Sequence, residues 1–169
     1  MNQASHASAA QADPMIGKTI AGRYRVDVLL GAGGMGAVYR AHDLVQERAV
    51  ALKVLHPDIG RDPQIAKRFD REAQAASRLD HPNIVRVDDH GRDEDGAAFM
   101  VMELLEGGEL QAQIGPDRPW PAARALDMLE QVLTGLAHAH AAGIVHRDLK
   151  PENIFLARDA QGQERAKIV

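Results

Sequence analysis

An acid, a cation and an amide fall within one run of eight residues, His146-Arg147-Asp148-Leu149-Lys150-Pro151-Glu152-Asn153. Asp148 can accept a proton from a substrate hydroxyl. Lys150, two residues on, can neutralise negative charge on a moving phosphoryl group. The amide oxygen of Asn153 suits a hard Mg2+ ion. A solvated charged loop after a helix would account for the charges of this run but not for their order.

A second stretch with chemical potential lies upstream, Gly31-Ala32-Gly33-Gly34-Met35-Gly36-Ala37-Val38. GxGxxG alone is a weak signal, because dinucleotide folds use it too; there a helix opens at the third glycine. Here Tyr24, Val26 and Val28 alternate with Arg23, Arg25 and Asp27 before the glycines, and Ala37-Val38-Tyr39-Arg40-Ala41 is β-like after them. Strand, glycine turn, strand is a flap whose backbone N–H groups can approach phosphates without Cβ clashes. The competing reading is a glycine-rich hairpin that binds nothing. Against it stands the strand over residues 48–55, where period two puts Ala51 and Lys53 on one face. Small Ala51 leaves room for a flat adenine, and Lys53 can reach phosphates.

Octet, flap and lysine together resemble the eukaryotic-type protein kinase family. Ile20-Ala21-Gly22-Arg23-Tyr24 and the Gly33-Gly34-Met35-Gly36 run resemble its bacterial Ser/Thr members. The resemblance runs from about Ile16 to Val169 and covers the front portion of the family's domain. It implies an α+β, protein-kinase-like fold: a five-stranded antiparallel N-lobe with the helix the family calls αC, and a truncated helical C-lobe. It implies ATP and Mg2+ as cofactors and a protein Ser or Thr hydroxyl as acceptor, with Lys150 favouring Ser/Thr over Tyr. By resemblance Asp148, Lys150 and Asn153 are catalytic, and Asn153 is also the metal ligand. Leu30, Gly31, Gly33, Gly36, Val38, Ala51, Lys53, Glu72, Met102, Glu103, Leu105 and Phe155 form the ATP site.

Several elements must position these residues. Asp62-Pro63 starts a helix, with Asp62 as cap, and Ile65, Phe69, Ala73, Ala76 and Leu79 make one apolar face. Glu72 lies at the edge of that face. The resemblance makes it the partner of Lys53; an exposed glutamate with Arg68 four residues before it is the other reading. Residues 84–87 and 98–102 read as strands joined through Asp93-Glu94-Asp95-Gly96. Met102 to Gly108 resembles the hinge between kinase lobes. There Met102 is gatekeeper or plain core filler, and backbone groups of Glu103 and Leu105 would bond adenine. Pro121 opens a long helix with Ala125, Met128, Leu129, Val132, Leu133 and Leu136 as its buried stripe and Gly143 as its stop. Residues 154–156 and 166–169 flank Asp159-Ala160-Gln161-Gly162 as a β-hairpin, with Phe155 under adenine by resemblance. The expected organisation is a disordered tail over 1–14, an N-lobe over 15–102 and a hinge over 103–108. A partial C-lobe over 109–169 holds the family's helices αD and αE, the catalytic loop and the hairpin.

Composition narrows the function classes. A net charge of −4 and 4% aromatic residues give no reason to expect nucleic acid as a partner. Cysteine is absent, which excludes disulfides and thiolate metal sites and fits a cytoplasmic location. No apolar run approaches transmembrane length. Family members continue from a run like Lys167-Ile168-Val169 into Asp-Phe-Gly, whose Asp is their principal Mg2+ ligand. The expectation is therefore a kinase by family whose 169 residues are inactive alone. The alternative is a non-catalytic fragment that binds nucleotide or a partner.

Overall fold

In the computed structural model, residues 13–60, 62–158 and 162–169 are described, and they build two sheets of antiparallel strands. The first contains β1 (Thr19–Ile20), β2 (Tyr24–Gly33), β3 (Gly36–Asp43), β4 (Arg48–Leu55), β5 (Val87–Arg92) and β6 (Ala98–Glu103), in the order β1-β2-β3-β4-β6-β5. The second contains β7 (Gly107–Glu109), β8 (Ile154–Arg158) and β9 (Glu164–Ile168), in that order. The N-lobe sheet thus has six strands where the sequence reading has five, because the short β1 pairs with the start of β2. The strand expected over 84–87 is displaced to β5. Ile84 and Val85 are taken up instead by the other sheet, with the Val85 N–H on the Ile168 carbonyl at 2.8 Å and the Ile168 N–H on the Asn83 carbonyl at 2.9 Å.

Period-two alternation decides which side of the first sheet is core. Ala37, Tyr39 and Ala41 from β3, Val50, Leu52 and Val54 from β4, and Phe99 and Val101 from β6 share one buried cluster with Tyr24 and Val26. Each Leu- or Phe-sized side chain so buried contributes about 1.5–3 kcal/mol. The opposite face carries α2 (Pro63–Ala76), which follows the short α1 (Pro57–Gly60). Asp62 caps α2 as expected, accepting the Gln64 N–H at 2.8 Å, and Pro63 occupies the first turn. Phe69 and Ala73 pack on Leu55, Val87, Ala98 and Met100.

The long helix α3 (Ala122–Ala141) stands on the second sheet. It stops as the sequence predicts: Gly143 has φ +74°, the Ile144 N–H reaches the Ala139 carbonyl and the Gly143 N–H the His140 carbonyl, both at 2.9 Å. That paired arrangement satisfies carbonyls the helix leaves orphaned. The buried stripe, however, is Met128, Val132, Gly135 and Ala139. Ala125, Leu129 and Leu133 of the expected stripe are exposed, the two leucines at 52% and 53%. The apolar arc of α3 is wider than one neighbouring hairpin can cover. Gly135 selects the covered side, since a Cβ there would lie 3.0 Å from the Asn83 carbonyl oxygen.

Between the lobes, 109–120 holds a 3-10 turn, Leu110–Ala112, where helix αD is expected. Gly115, Pro116, Pro119 and Pro121 interrupt any longer helix. Of the expected tail, residues 1–12 lie outside the described residues. Asp13 is engaged, accepting the Tyr39 hydroxyl at 3.0 Å and the Met15 N–H at 2.9 Å. The hairpin turn at 159–161 also lies outside the described residues. Among them, no helix is long and apolar enough to cross a membrane.

One ion pair fixes the edge of the first sheet. Asp43, 1% exposed, takes two bonds from Arg23 at 2.9 and 2.7 Å and the N–H groups of Val45 and Gln46 at 2.9 and 3.1 Å. The Arg23 guanidinium, helped by those N–H groups, holds its carboxyl well below the usual carboxylate range. A depressed folded-state pKa stabilises above the unfolded carboxylate value and is lost as pH falls through the folded value. Asp43→Asn is therefore expected to cost about 3 kcal/mol at neutral pH. It should also flatten the loss of stability seen as pH drops below about 4. Urea denaturation across that range checks both.

Candidate active site

Strand register gathers the candidate residues of the first sheet. Gly31 faces Val38 across β2–β3, Val38 faces Lys53 across β3–β4, and Ala51 faces Met102 across β4–β6. Directly opposed residues share a face, so Val38, Ala51, Lys53 and Met102 all lie on the side away from the Leu52–Phe99–Val101 core. Ala51 is buried, while Val38, Lys53 and Met102 are half-buried. Leu30 sits beside them at an irregularity of β2 and is 53% exposed.

The glycines of the flap divide into two kinds. A Cβ on Gly31, Gly33 or Gly34 would meet nothing within 4 Å, which leaves room for a ligand against the backbone. A Cβ on Gly36 would lie 2.2 Å from the Val54 carbonyl oxygen. Gly36 is thus required by the close approach of β3 to β4, a demand the motif alone did not reveal.

Lys53 projects from β4 with no partner for its ammonium group among the described residues. The expected Lys53–Glu72 pair is not formed. Glu72 is 59% exposed and accepts a bond from Arg68 Nε at 2.9 Å. The cause is local: residues four apart on a helix meet, and Phe69 and Ala73 take the inward positions of α2.

The hinge residues join the two sheets. Glu103 closes β6, and its side chain accepts the Arg86 N–H at 2.8 Å and Lys167 Nζ at 2.5 Å. Leu105 lies outside the strands, half-buried, with no bonded partner among the described residues. Phe155 on β8 faces Glu109 on one side and Lys167 on the other. It therefore points away from Ile154 and Leu156, which belong to the core under α3.

The octet is held as a compact loop. Arg147 adopts φ +67°, a left-handed conformation that is uncommon for a side-chain-bearing residue and turns the chain sharply before Asp148. The Asp148 N–H donates to His146 Nδ1 at 3.3 Å, so His146 Nε2 carries the proton and donates to the Val169 carbonyl at 3.1 Å. Asp148 Oδ2 lies 3.1 Å from Lys150 Nζ and 3.1 Å from Asn153 Nδ2. The Lys150 ammonium, then the Asn153 amide, holds the Asp148 carboxyl below its ordinary value. Asn153 Nδ2 also donates to the Asp148 carbonyl at 2.7 Å. With both donor directions of the amide engaged, the Asn153 Oδ1 acceptor is left for a cation. An oxygen ligand beside an ionised carboxylate is the donor chemistry Mg2+ takes. The open glycines and the unpaired Lys53 suit a triphosphate.

Sequence reasoning passed over three residues that order this site: His146, Lys167 and Asn83. The His-x-Asp spacing signals the first. Lys167 and Asn83 act through contacts with residues far away in the chain, which no local pattern encodes. Two shallow concavities lie apart from the octet. One, about 470 Å3, runs along Leu126, Leu129 and Leu133 on the outer side of α3, and another, about 360 Å3, lies between Glu106, Gln113 and Arg158.

The chain is similar to known proteins along most of its length. Residues 24–169 match the protein kinase domain family. The chain is 48% identical over 144 residues to the serine/threonine-protein kinase pkn3 of Myxococcus xanthus, covering 85% of this chain and 26% of that protein. It is 46% identical over 142 residues to the serine/threonine-protein kinase PrkC of Bacillus subtilis, covering 84% of this chain and 22% of that protein. The chain thus spans about a quarter of the length of these relatives. The crystal structure of the PknI kinase domain of Mycobacterium tuberculosis superposes with a TM-score of 0.76 at 33% identity, over 90% of this chain and 60% of that one.

The two kinds of flap glycine behave differently on substitution. Gly36→Ala is expected to lose about 1–3 kcal/mol through the clash with β4. Gly31→Ala and Gly33→Ala should stay within about 0.5 kcal/mol of the parent. Thermal denaturation of the three variants checks the division.

Proposed function

The chain belongs to the protein kinase family, its matched relatives being bacterial serine/threonine kinases, and from that premise we propose that its residues serve ATP-dependent phosphorylation of Ser and Thr hydroxyls on proteins. The observation that carries this reading is the octet's geometry. Asp148 is ionised, Lys150 sits 3.1 Å from it, and Asn153 is bonded so that its oxygen stays available. When bound, ATP supplies the transferable phosphoryl group and Mg2+ offsets its charge. Asp148 orients the acceptor hydroxyl and takes up its proton. Lys150 steadies negative charge next to that oxygen, and Asn153 Oδ1 would hold the metal, which would supply charge neutralisation.

The first sheet does the binding. Gly31 and Gly33 present backbone N–H groups to phosphates, with Gly36 holding the flap against β4. Lys53, without a competitor among the described residues, is available to phosphate oxygens. Leu30, Val38, Ala51, Met102 and Phe155 enclose the adenine, and the Glu103 carbonyl and Leu105 N–H bond its edge. Glu72 orients Lys53 once it leaves Arg68. An exposed pair four residues apart is worth only about 0.3–0.5 kcal/mol, so this exchange costs little.

Of the residues assigned here, the metal ligand is one neutral amide oxygen, and such a ligand binds strongly hydrated Mg2+ weakly. The 169 residues by themselves are therefore expected to bind adenine nucleotide without turning over. A partner-binding role is favoured by one feature, the exposed Leu126, Leu129 and Leu133 on α3.

Two measurements on the purified chain test this function. A non-hydrolysable ATP analogue should raise the melting temperature, and Lys53→Met should weaken its affinity about tenfold or more, the loss of a charge-assisted contact. No shift at millimolar analogue contradicts nucleotide binding. With Mg-ATP and a generic Ser/Thr substrate no turnover is expected. Rates of about 1–100 per second, abolished by Asp148→Asn, would show that these residues suffice for catalysis.

A further inference from the structure

The end of β9 reaches three places with three consecutive residues. The Lys167 ammonium, its side chain 13% exposed, pairs with the Glu103 carboxylate, 19% exposed, at the end of β6. Ile168, 5% exposed, carries the backbone bonds to Asn83 and Val85. The Val169 N–H donates to the Asn153 carbonyl at 3.0 Å, and its own carbonyl takes His146 Nε2 at 3.1 Å. Glu103 is further pinned to Arg86, with its carboxylate on the Arg86 N–H at 2.8 Å and its N–H on the Arg86 carbonyl at 3.0 Å.

A largely buried carboxylate keeps its place only while its cation is present, because removing one partner leaves the other uncompensated. The conformation of Glu103 therefore depends on Lys167. Lys167 itself is set by the same strand end that is bonded to the catalytic octet.

We propose that Lys167 is a positioning residue that locks the base-binding edge of the hinge, Glu103 to Leu105, to the loop carrying Asp148 and Asn153, so that the two move as one unit. This rests on the reading of Glu103 and Leu105 as adenine contacts. Lys167 stands opposite Phe155 on β8 and acts through Glu103. Discrimination between ATP and a bare polyphosphate is then partly set by the Lys167–Glu103 pair.

The test compares Lys167→Met, Lys167→Arg and the parent 169-residue chain, with Glu103→Gln as the shape-conserving counterpart should Lys167→Met fail to fold. Hydrogen exchange in the free protein should quicken at residues 103–106 and 146–153 in Lys167→Met, while α2 is unchanged. ATP affinity should fall about tenfold, as for one lost bond to the base, with inorganic tripolyphosphate affinity unchanged. Lys167→Arg should restore both. The proposal is overturned if exchange at 103–106 is unchanged, if α2 quickens equally, if ATP and tripolyphosphate weaken in parallel, or if Lys167→Arg behaves as Lys167→Met. Should the parent chain bind no ATP, the kinase reading fails, and exchange alone decides the coupling.

Discussion

The backbone of Asn83 to Val85 runs alongside Ile168, and those two hydrogen bonds join the sheet that would carry nucleotide to the sheet beside the octet, which would carry the reacting groups. The joint is buried, and its buried side-chain polar groups among the described residues are satisfied. Asn83, 6% exposed, gives its amide to the Ala166 carbonyl at 2.9 Å and to Gln131 Oε1 at 3.1 Å. A buried amide without such partners would cost about 1–3 kcal/mol, so the joint tolerates few rearrangements. Gly135 belongs to the same constraint, because a Cβ there would crowd the Asn83 carbonyl at 3.0 Å and make α3 or that backbone give by a few tenths of an ångström. From this point Ile84 and Leu79 pack on Ala139, tying the end of α2 to α3 as well.

On either side of the joint, charge is distributed unequally. The acids and bases that hold the scaffold are paired and half-buried or deeper, as with Arg23–Asp43 and Lys167–Glu103. The groups with proposed chemistry are exposed or unpaired: Lys53 has no anion among the described residues, and Asp148 is 69% exposed despite its bond to Lys150. Stabilising pairs tolerate burial because their partners remain in place; a group that must meet a substrate needs its charge left uncommitted. The Arg68–Glu72 pair is the intermediate case, formed on the helix surface where it contributes little and is easily exchanged.

Much of this was legible in the sequence because it is local. Asp62-Pro63 starts α2 and Gly143 ends α3 by capping chemistry that acts over a few residues. The alternation over Tyr24–Val26 and Val50–Val54 puts the right side chains in the core, while Val28, past a register shift in β2, is exposed, and the octet announces its own loop. What escaped was set at long range. Ile84 and Val85 have strand composition, yet their partner is Ile168, more than eighty residues away, as the register of that bridge shows. The face of α3 turns on Gly135 meeting Asn83, so of the expected stripe Met128 and Val132 are buried while Leu129 and Leu133 are exposed. The Lys53–Glu72 pair depends on how α2 sits against β4, and no spacing along the chain fixes that. Over 109–120 the helix follows from the resemblance alone, and Gly115, Pro116 and Pro119 leave room only for the 3-10 turn Leu110–Ala112.

The central claim is that one nucleotide contacts both sides of the Asn83–Ile168 joint. Amide chemical-shift mapping of the 169-residue chain with ADP tests it most directly. The account predicts perturbations at Gly31, Gly33 and Lys53 in the first sheet, at Glu103 and Leu105 in the hinge, and at Asp148 and Asn153 in the octet, all saturating with one affinity. Perturbations confined to one sheet, or clustered on the outer side of α3, would contradict it.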